Sequence, residues 1–126
     1  MELKDCVFEL VRFRLAHKRV SVPLKETNSS FSYDLKGVSY QYFFSDVLSI
    51  PSCTGVCFYA CLNTPENIAF LVENWDAFLQ DRLTILFMNP SVNMFWKIAP
   101  KSHALISDAE TLEQGIRSLA EQVPFV

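Results

Sequence analysis

Cysteine spacing is the first pattern in this chain that could support chemistry. Cys53, Cys57 and Cys61 recur at intervals of four residues, and Cys6 lies far upstream. A structural zinc site needs three or four such ligands around one ion. Residues 54–62 are almost all apolar, which indicates a strand buried on both faces. Cysteines four residues apart on a strand share a face but lie about 13 Å apart. We therefore predict core packing for the cysteines and no metal site.

Two further patterns could support catalysis. The histidines, His17 and His103, stand in no recognisable nucleophile motif. Asp34 and Lys36 form an Asp-x-Lys pattern that occurs in hairpins of metal-dependent nucleases, but Glu9 is its single plausible carboxylate partner upstream. The chain has only 3 glycines, which are too few and too dispersed for a phosphate-cradling loop. We predict no catalytic residue and no cofactor, and we keep a small enzyme or degenerate nuclease-like domain as the third hypothesis.

A basic cluster occupies one short stretch. Arg12, Arg14, Lys18 and Arg19 lie within residues 12–19, which hold no acidic residue. Cations suit the carboxyl end of a helix, where the helix dipole is negative. The alternative is a site for an acidic protein or RNA, and phosphate binding of that kind would weaken steeply with salt. The net charge of −3 and the pI of about 5.3 argue against general affinity for nucleic acid or membrane, so we predict neither as a partner.

Length and composition favour one apolar-rich domain. The 126 residues fit a single domain, predicted to span residues 1–126. Half of the residues are hydrophobic and 11 are Phe, so the core is dense or some apolar surface serves a partner. Three of the first six residues, Glu2, Lys4 and Asp5, are charged, and the stretch lacks the apolar core of a signal peptide. No apolar run approaches the ~20 residues that span a bilayer. These features predict a cytoplasmic location with reduced thiols.

Three segments carry apolar residues at helical spacing and are predicted to be helices. They are residues 2–18, the residues from Thr64 to Leu79, and the residues from about Asp108 to Val123. In the first segment a strand from Val7 to Leu15 is the alternative, because its residues also alternate in part. Thr64 suits an N-cap, and Pro65 suits the first helical turn, where its missing N–H costs nothing. Ser107 and Glu110 have the spacing of a capping box.

The hairpin signal is centred on Lys36-Gly37, where Gly can supply the positive φ of a two-residue turn. Folding the chain there pairs Leu35 with Val38, Tyr33 with Tyr40 and Phe31 with Tyr42. Phe31, Tyr33, Tyr40 and Tyr42 then form an aromatic wall, and the opposite face carries Ser32, Asp34, Ser39 and Gln41. Tyrosine suits a partly wet surface as well as a core. The pattern therefore leaves open whether the wall is core or binding surface.

The strand segments complete the predicted fold. Residues 54–62, 83–88 and 94–98 are strand-like, and a short extra strand is allowed near Val20. The predicted order is helix, three strands, helix, two strands, helix. Three successive strands without an intervening helix indicate an α+β fold whose sheet is mainly antiparallel, with the helices packed on it.

Two stretches resemble the class I type III secretion chaperones, which have the Tir-chaperone-like fold. The run from Cys57 to Pro65 resembles that family's apolar strand and the start of its middle helix. Ile98-Ala99-Pro100, followed by apolar residues from Leu105 to Leu119, resembles its strand, proline and last amphipathic helix. The resemblance covers most of the chain as a pattern and contains no invariant motif.

The resemblance implies a homodimer that keeps a segment of another protein unfolded, partly by strand addition. The partner-binding residues that it suggests are Val7, Phe13, Tyr33, Tyr40 and Tyr42. The dimer-interface residues that it suggests are Trp75, Phe78 and Trp96. The alternative hypothesis is a scaffold subunit of roadblock-like or profilin-like layout. A chaperone should bind an unstructured peptide, whereas a scaffold should bind a folded partner.

Overall fold

The computed structural model describes residues 2–105 and 111–126. The helices are α1 (Leu3–His17), α2 (Pro65–Glu73), α3 (Pro100–Ala104) and α4 (Leu112–Ala120). The strands are β1 (Lys25–Glu26), β2 (Ser30–Leu35), β3 (Val38–Phe44), β4 (Val56–Leu62), β5 (Leu83–Asn89) and β6 (Met94–Ile98). A 3₁₀ turn, Trp75–Phe78, follows α2. The predicted capping box of Ser107 and Glu110, and the predicted helix start near Asp108, lie outside the described residues. None of the described helices combines the length and apolar character that crossing a membrane requires.

The six strands form one mixed sheet in the order β1-β2-β3-β4-β5-β6. The α+β fold is confirmed, but the mainly antiparallel sheet is confirmed only in part. The outer pairings are antiparallel, whereas β3 pairs with β4, and β4 with β5, in parallel. Parallel pairing is possible because residues 45–55 return the chain from the end of β3 to the start of β4 without a helix. α2 makes the second return, between β4 and β5.

The predicted hairpin is confirmed in its register. Leu35 pairs with Val38, Tyr33 with Tyr40, and Phe31 with Tyr42. The turn residues Lys36 and Gly37 have φ values of 52° and 80°. Both turn residues therefore have the positive φ that a two-residue hairpin turn of this type requires.

Both faces of the central strands are buried. On one face, α1 covers Phe31, Tyr33, Tyr42, Phe44, Phe58, Ala60, Leu86 and Met88. On the other face, α2 and α4 help to cover Cys57, Tyr59, Cys61, Ile85, Phe87, Trp96 and Ile98. Full burial of a large apolar side chain contributes roughly 1.5–3 kcal/mol, so these two layers of contacts are the main source of stability.

The start of α2 follows the predicted chemistry. The Thr64 hydroxyl accepts a hydrogen bond from the Asn67 N–H at 3.1 Å, and Pro65 occupies the first helical position. α2 ends at Glu73, earlier than its apolar stripe predicted, because the chain tightens into the 3₁₀ turn.

Two short elements differ from the prediction. Pro100, which was expected only to end a strand, opens α3, because proline is well tolerated at the first position of a helix. The short extra strand expected near Val20 is found instead at Lys25–Glu26, where it pairs with Ser32 and Phe31 of β2. His103 belongs to α3.

Gly55 is required by a close approach between backbone segments. Its φ is +85°, and a Cβ atom at this position would lie 2.7 Å from the carbonyl oxygen of Ser39. Gly37 also has a positive φ, of +80°, but a Cβ atom there would meet nothing within 4 Å. Both glycines therefore meet the need for a positive φ, but only at Gly55 would a Cβ atom also clash with a neighbouring strand.

Gly55→Ala is expected to lower the free energy of unfolding by about 2 kcal/mol or more. A left-handed backbone costs an L-residue roughly 1–2 kcal/mol, and the clash with Ser39 adds to that cost. Gly37→Ala, the matched control, should lose only the roughly 1–2 kcal/mol of the left-handed backbone, and less than Gly55→Ala. Urea denaturation of both variants measures the difference. Equal losses would contradict the close approach of residue 55 to β3.

Candidate functional site

The residues predicted to contact a partner are divided between core and surface. Val7, Tyr33 and Tyr42 are buried between α1 and the sheet, so most of the aromatic wall is core. Tyr40 is half-buried, and Phe13 is 68% exposed on α1. Of the predicted partner-binding residues, Phe13 and Tyr40 are therefore the ones accessible in this conformation, and the predicted contact stays a prediction.

The residues predicted for a dimer contact pack within the chain. Phe78 and Trp96 belong to the core beneath α2 and α4, and Trp75 is half-buried against it. The Trp75 ring meets the His103 ring edge-on, with their centroids 5.9 Å apart. Burial of Phe78 and Trp96 means that a dimer would have to form through the backbone and the exposed neighbours of these side chains.

The cysteines have the environment of core residues. Cys57 and Cys61 are buried on β4, and burial raises the pKa of both thiols above its ordinary value. Cys53 precedes the strand and is half-buried, and burial raises the pKa of its thiol while the neighbouring Cys57 thiol lowers it to a smaller extent. Within residues 2–105 and 111–126, no group of three Cys, His, Asp or Glu side chains could hold a metal ion. Asp34 and Glu9, which were considered for a nuclease site, are both exposed on separate elements.

The free edge of the sheet at β6 is the strongest candidate for a binding site. β6 pairs with β5 on one side, and among residues 2–105 and 111–126 no strand pairs with its other side. An edge strand presents unpaired N–H and C=O groups that can pair with another chain. Three apolar side chains at this edge, Val92, Met94 and Phe95, are 49%, 43% and 41% exposed. An extended segment could therefore find both backbone partners and apolar contacts here.

The opposite edge lacks these properties. β1 has two residues, Lys25 and Glu26, and both are exposed and charged. Glu26 forms an ion pair with Lys4 of α1 at 2.7 Å, and Pro23 lies just before the strand. Short length, charge and a nearby proline are the features by which natural proteins protect a sheet edge. The sheet is thus protected at β1 and open at β6.

Buried contacts hold β6 in place from its inner side. The Trp96 ring stacks on that of Phe87, with centroids 4.3 Å apart and planes 6° apart. The Trp96 indole N–H donates to the Asn63 side-chain oxygen at 2.9 Å. On the face that carries α1, Phe95 pairs with Met88 of β5, yet it stays exposed because α1 packs over β3 and β4. The strand is therefore fixed while its outer side chains remain free.

Three buried asparagines, which sequence reasoning missed, organise the carboxyl ends of the parallel strands. Asn63, just after β4, donates to the carbonyls of Val123 and Pro124 at 3.0 and 3.3 Å. Asn89, at the end of β5, donates to the Pro124 carbonyl at 3.0 Å. Asn67, in α2, accepts from the Leu48 N–H at 2.9 Å. The one sequence feature that could have indicated this role is that Asn63 and Asn89 lie at the ends of buried strands.

A cleft of about 430 Å³ lies at this same end of the sheet. Its polar lining includes Glu2, Lys4, Ser45, Asp46 and Ser91. Lys4 is already engaged in its ion pair with Glu26. The described residues of this cleft include carboxylates, a lysine and serines, but no hydrogen bond among these side chains would activate one of them as a nucleophile. The cleft therefore has weaker support as a functional site than the β6 edge.

Asn63→Ala is expected to destabilise the chain by about 2–4 kcal/mol. The change removes the partner of the Trp96 indole N–H and of the Val123 carbonyl, whereas the Pro124 carbonyl keeps its hydrogen bond from Asn89, and each buried unsatisfied group costs roughly 1–3 kcal/mol. Asn28→Ala, in an exposed loop, is the matched control and should change stability by less than about 0.5 kcal/mol. Thermal and urea unfolding measure both. An Asn63→Ala variant as stable as the control would contradict the role of this side chain.

Cysteine labelling should distinguish Cys53 from the other thiols. Only the thiolate reacts with iodoacetamide, and burial raises the pKa of all four thiols, so access of the reagent to each sulfur decides the order of labelling. Cys53 is less buried, so in native protein at pH 8 it should be alkylated first, with the others following only on unfolding. Peptide mass spectrometry over a time course, with Cys53→Ser as the control, checks this order. Rapid labelling of Cys57 or Cys61 would contradict their placement in the core.

The chain has no detected relative that could assign a role to the β6 edge. No protein-family model, curated protein or solved structure matches it. The function of the chain therefore has to be argued from its own residues.

Proposed function

We propose that this chain is a non-catalytic protein-binding module that holds an extended segment of a partner protein against β6. The observation that carries the proposal is the contrast between the two sheet edges. β1 is short and charged, whereas β6 is a five-residue strand that pairs with β5 on one side and has no strand partner on its other side among the described residues, beside exposed Val92, Met94 and Phe95. Backbone hydrogen bonds supply affinity in strand addition, and alternate side chains supply specificity.

The chemistry of the edge suggests the kind of segment that it would accept. Met94 lies on the same face as buried Trp96 and Ile98, and Phe95 lies on the opposite face with Lys97. An added strand would have alternate side chains on both faces of the sheet. Apolar residues on both faces beside Met94 and Phe95, with an acidic residue near Lys97, would complement β6. Such a segment is extended before it binds, as the chaperone resemblance implies.

A second candidate is a homodimer in which two β6 strands pair, and self-complementarity of the edge favours it. In an antiparallel pairing centred on Trp96, Phe95 of each chain lies opposite Lys97 of the other. Lysine can pack its aliphatic stem and its charge against an aromatic ring. That register also keeps the two lysines from facing each other. A dimer of this kind would be the starting point for the scaffold hypothesis.

Phe95→Lys is the variant that tests the proposal, because a charged side chain at an edge strand opposes strand addition. Phe13→Lys is its matched control, since Phe13 is 68% exposed on α1, away from the edge. Pull-down from the native host is followed by hydrogen exchange of the captured partner. We expect the wild type and Phe13→Lys to retain a disordered partner segment, and Phe95→Lys to lose at least about tenfold in affinity, or ~1.4 kcal/mol.

The same two variants separate the alternatives. If Phe13→Lys abolishes capture and Phe95→Lys does not, the binding surface lies on α1 and the edge proposal is wrong. Size-exclusion chromatography with light scattering adds the second comparison. A wild-type dimer that becomes a monomer in Phe95→Lys would support the paired β6 strands. A monomer that captures a disordered segment would support partner binding at a free edge.

A further inference from the structure

A serine beside the basic end of α1 combines exposure with a distinctive charge pattern. Ser21 lies in the irregular segment between α1 and β1, and it is exposed. Lys18 and Arg19 precede it by three and two residues, and no other serine or threonine of the chain has basic residues at both of these positions. Kinases choose their substrates by such charge patterns, and a pair of cations before the serine suits a kinase with an acidic substrate cleft.

The segment around Ser21 is accessible to another protein. α1 ends at His17, so Lys18 and Arg19 lie beyond its last residue, and both are exposed. The residues from 20 to 24 belong to neither a helix nor a strand. A serine in such a segment can enter the catalytic cleft of a second protein without the unfolding of a helix or of the sheet.

A capping motif fixes the path of the backbone from α1 to Ser21. The Val20 N–H donates to the Leu15 carbonyl at 3.1 Å, and the Arg19 N–H donates to the Ala16 carbonyl at 3.0 Å. These two bonds are those of a Schellman motif, in which Arg19 is the left-handed residue, with a φ of 56°. The reversal of the chain places Ser21 beside the last turns of α1.

Ser21 and Arg12 line the same recess, which has a volume of about 340 Å³. They supply its polar side chains, and its other lining residues are Leu15, Ala16, Val20 and Val22. Arg12 is exposed, and the ion pairs among residues 2–105 and 111–126 use other cations. Its guanidinium carbon lies 5.7 Å from the centre of the Phe8 ring, a contact that occupies the guanidinium face and not the N–H donors at its edge. These donors can therefore bind an anion on Ser21.

We propose that Ser21 is a phosphorylation site for a kinase that recognises basic residues, and that Arg12 binds the resulting phosphate in the recess. The kinase would transfer the γ-phosphoryl group of ATP to the Ser21 Oγ. The bond between Oγ and phosphorus forms, the bond between the γ-phosphorus and ADP breaks, and the hydroxyl proton passes to a base of the kinase. The site goes beyond strand addition at β6 and does not rest on it.

The charges around Ser21 favour a bound phosphate. A phosphoserine carries a charge of about −1.5 to −2 at neutral pH, and a guanidinium can donate two parallel hydrogen bonds to its oxygens. The carboxyl end of a helix opposes an anion with a dipole equivalent to roughly half a negative charge. The four cations within residues 12–19, which hold no acidic residue, outweigh that dipole. Phosphorylation would remove about half of this local positive charge.

The first test incubates the native full-length chain with magnesium ATP and the catalytic subunit of cyclic AMP-dependent protein kinase, which selects serines after paired basic residues. Peptide mass spectrometry then locates the phosphate. We expect phosphate on Ser21 and none on Ser29, an exposed serine without such a pair. Replacing both Lys18 and Arg19 by Gln should lower the initial rate at least roughly tenfold, because charged contacts with the kinase are lost. Lys25→Gln, the matched control, should leave the rate unchanged. An unmodified Ser21, or an unchanged rate in the double variant, would overturn the proposal.

The second test uses full-length chain in which Ser21 is incorporated as phosphoserine during translation, so that no kinase is needed. Phosphorus NMR follows ionisation of the phosphate with pH. A nearby guanidinium favours the dianion, so the phosphate should ionise at lower pH in the wild type than in Arg12→Gln. Arg117→Gln, which removes a cation from α4, is the control and should titrate like the wild type. Arg12 is exposed, so its replacement should leave the chain folded, which circular dichroism checks. Equal titration of the wild type and Arg12→Gln would overturn the proposal.

Discussion

Burial of β4 and β5 on both faces is the constraint on which the other features depend. Strands that are apolar on both sides need a covering layer on each side, and α1 supplies one while α2 and α4 supply the other. Because β3, β4 and β5 run parallel, their carboxyl ends meet at one end of the sheet. The polar ends of these strands are satisfied there by Asn63, Asn67 and Asn89, which fix the neighbouring loop and the last residues of the chain. The sheet has two outer strands, β1 and β6. The residues of each outer strand determine whether another chain could pair with it.

The unequal edges connect this architecture with function. An apolar edge exposes a protein to unwanted pairing, so natural sequences usually shorten or charge it. β1 shows both devices, with two charged residues and an ion pair to α1. β6 is longer and has exposed Met94 and Phe95, while Trp96 anchors it through Phe87 and Asn63. A rigid strand with a free outer side is a preorganised template, which lowers the entropic cost of binding an extended segment.

The β2–β3 hairpin and the start of α2 could be predicted because their signals are local. Alternation on both arms and the Lys36-Gly37 turn determine the register, and Thr64 with Pro65 marks a helix start. Strand direction could not be predicted in the same way, because apolar periodicity is identical for parallel and antiparallel strands. The burial of Tyr33 and Tyr42 depends on where α1 lies, which no local pattern specifies. An asparagine after a strand is equally typical of a turn, so the role of Asn63 depended on distant partners, Trp96 and Val123. The exposed residues of β6 could not be predicted for a related reason, because the strand pattern does not show that Trp96 is buried while Met94 and Phe95 are exposed.

Backbone hydrogen exchange of β6, resolved residue by residue in the free protein, tests the open edge most directly. An edge strand directs its N–H groups alternately toward its neighbour and away from the sheet. We predict that amides within Met94–Ile98 which face β5 are strongly protected, while the alternate amides exchange nearly as fast as those of an exposed loop. Uniform protection along β6 would show that the edge is covered, and it would contradict the claim that this strand is free to receive a partner.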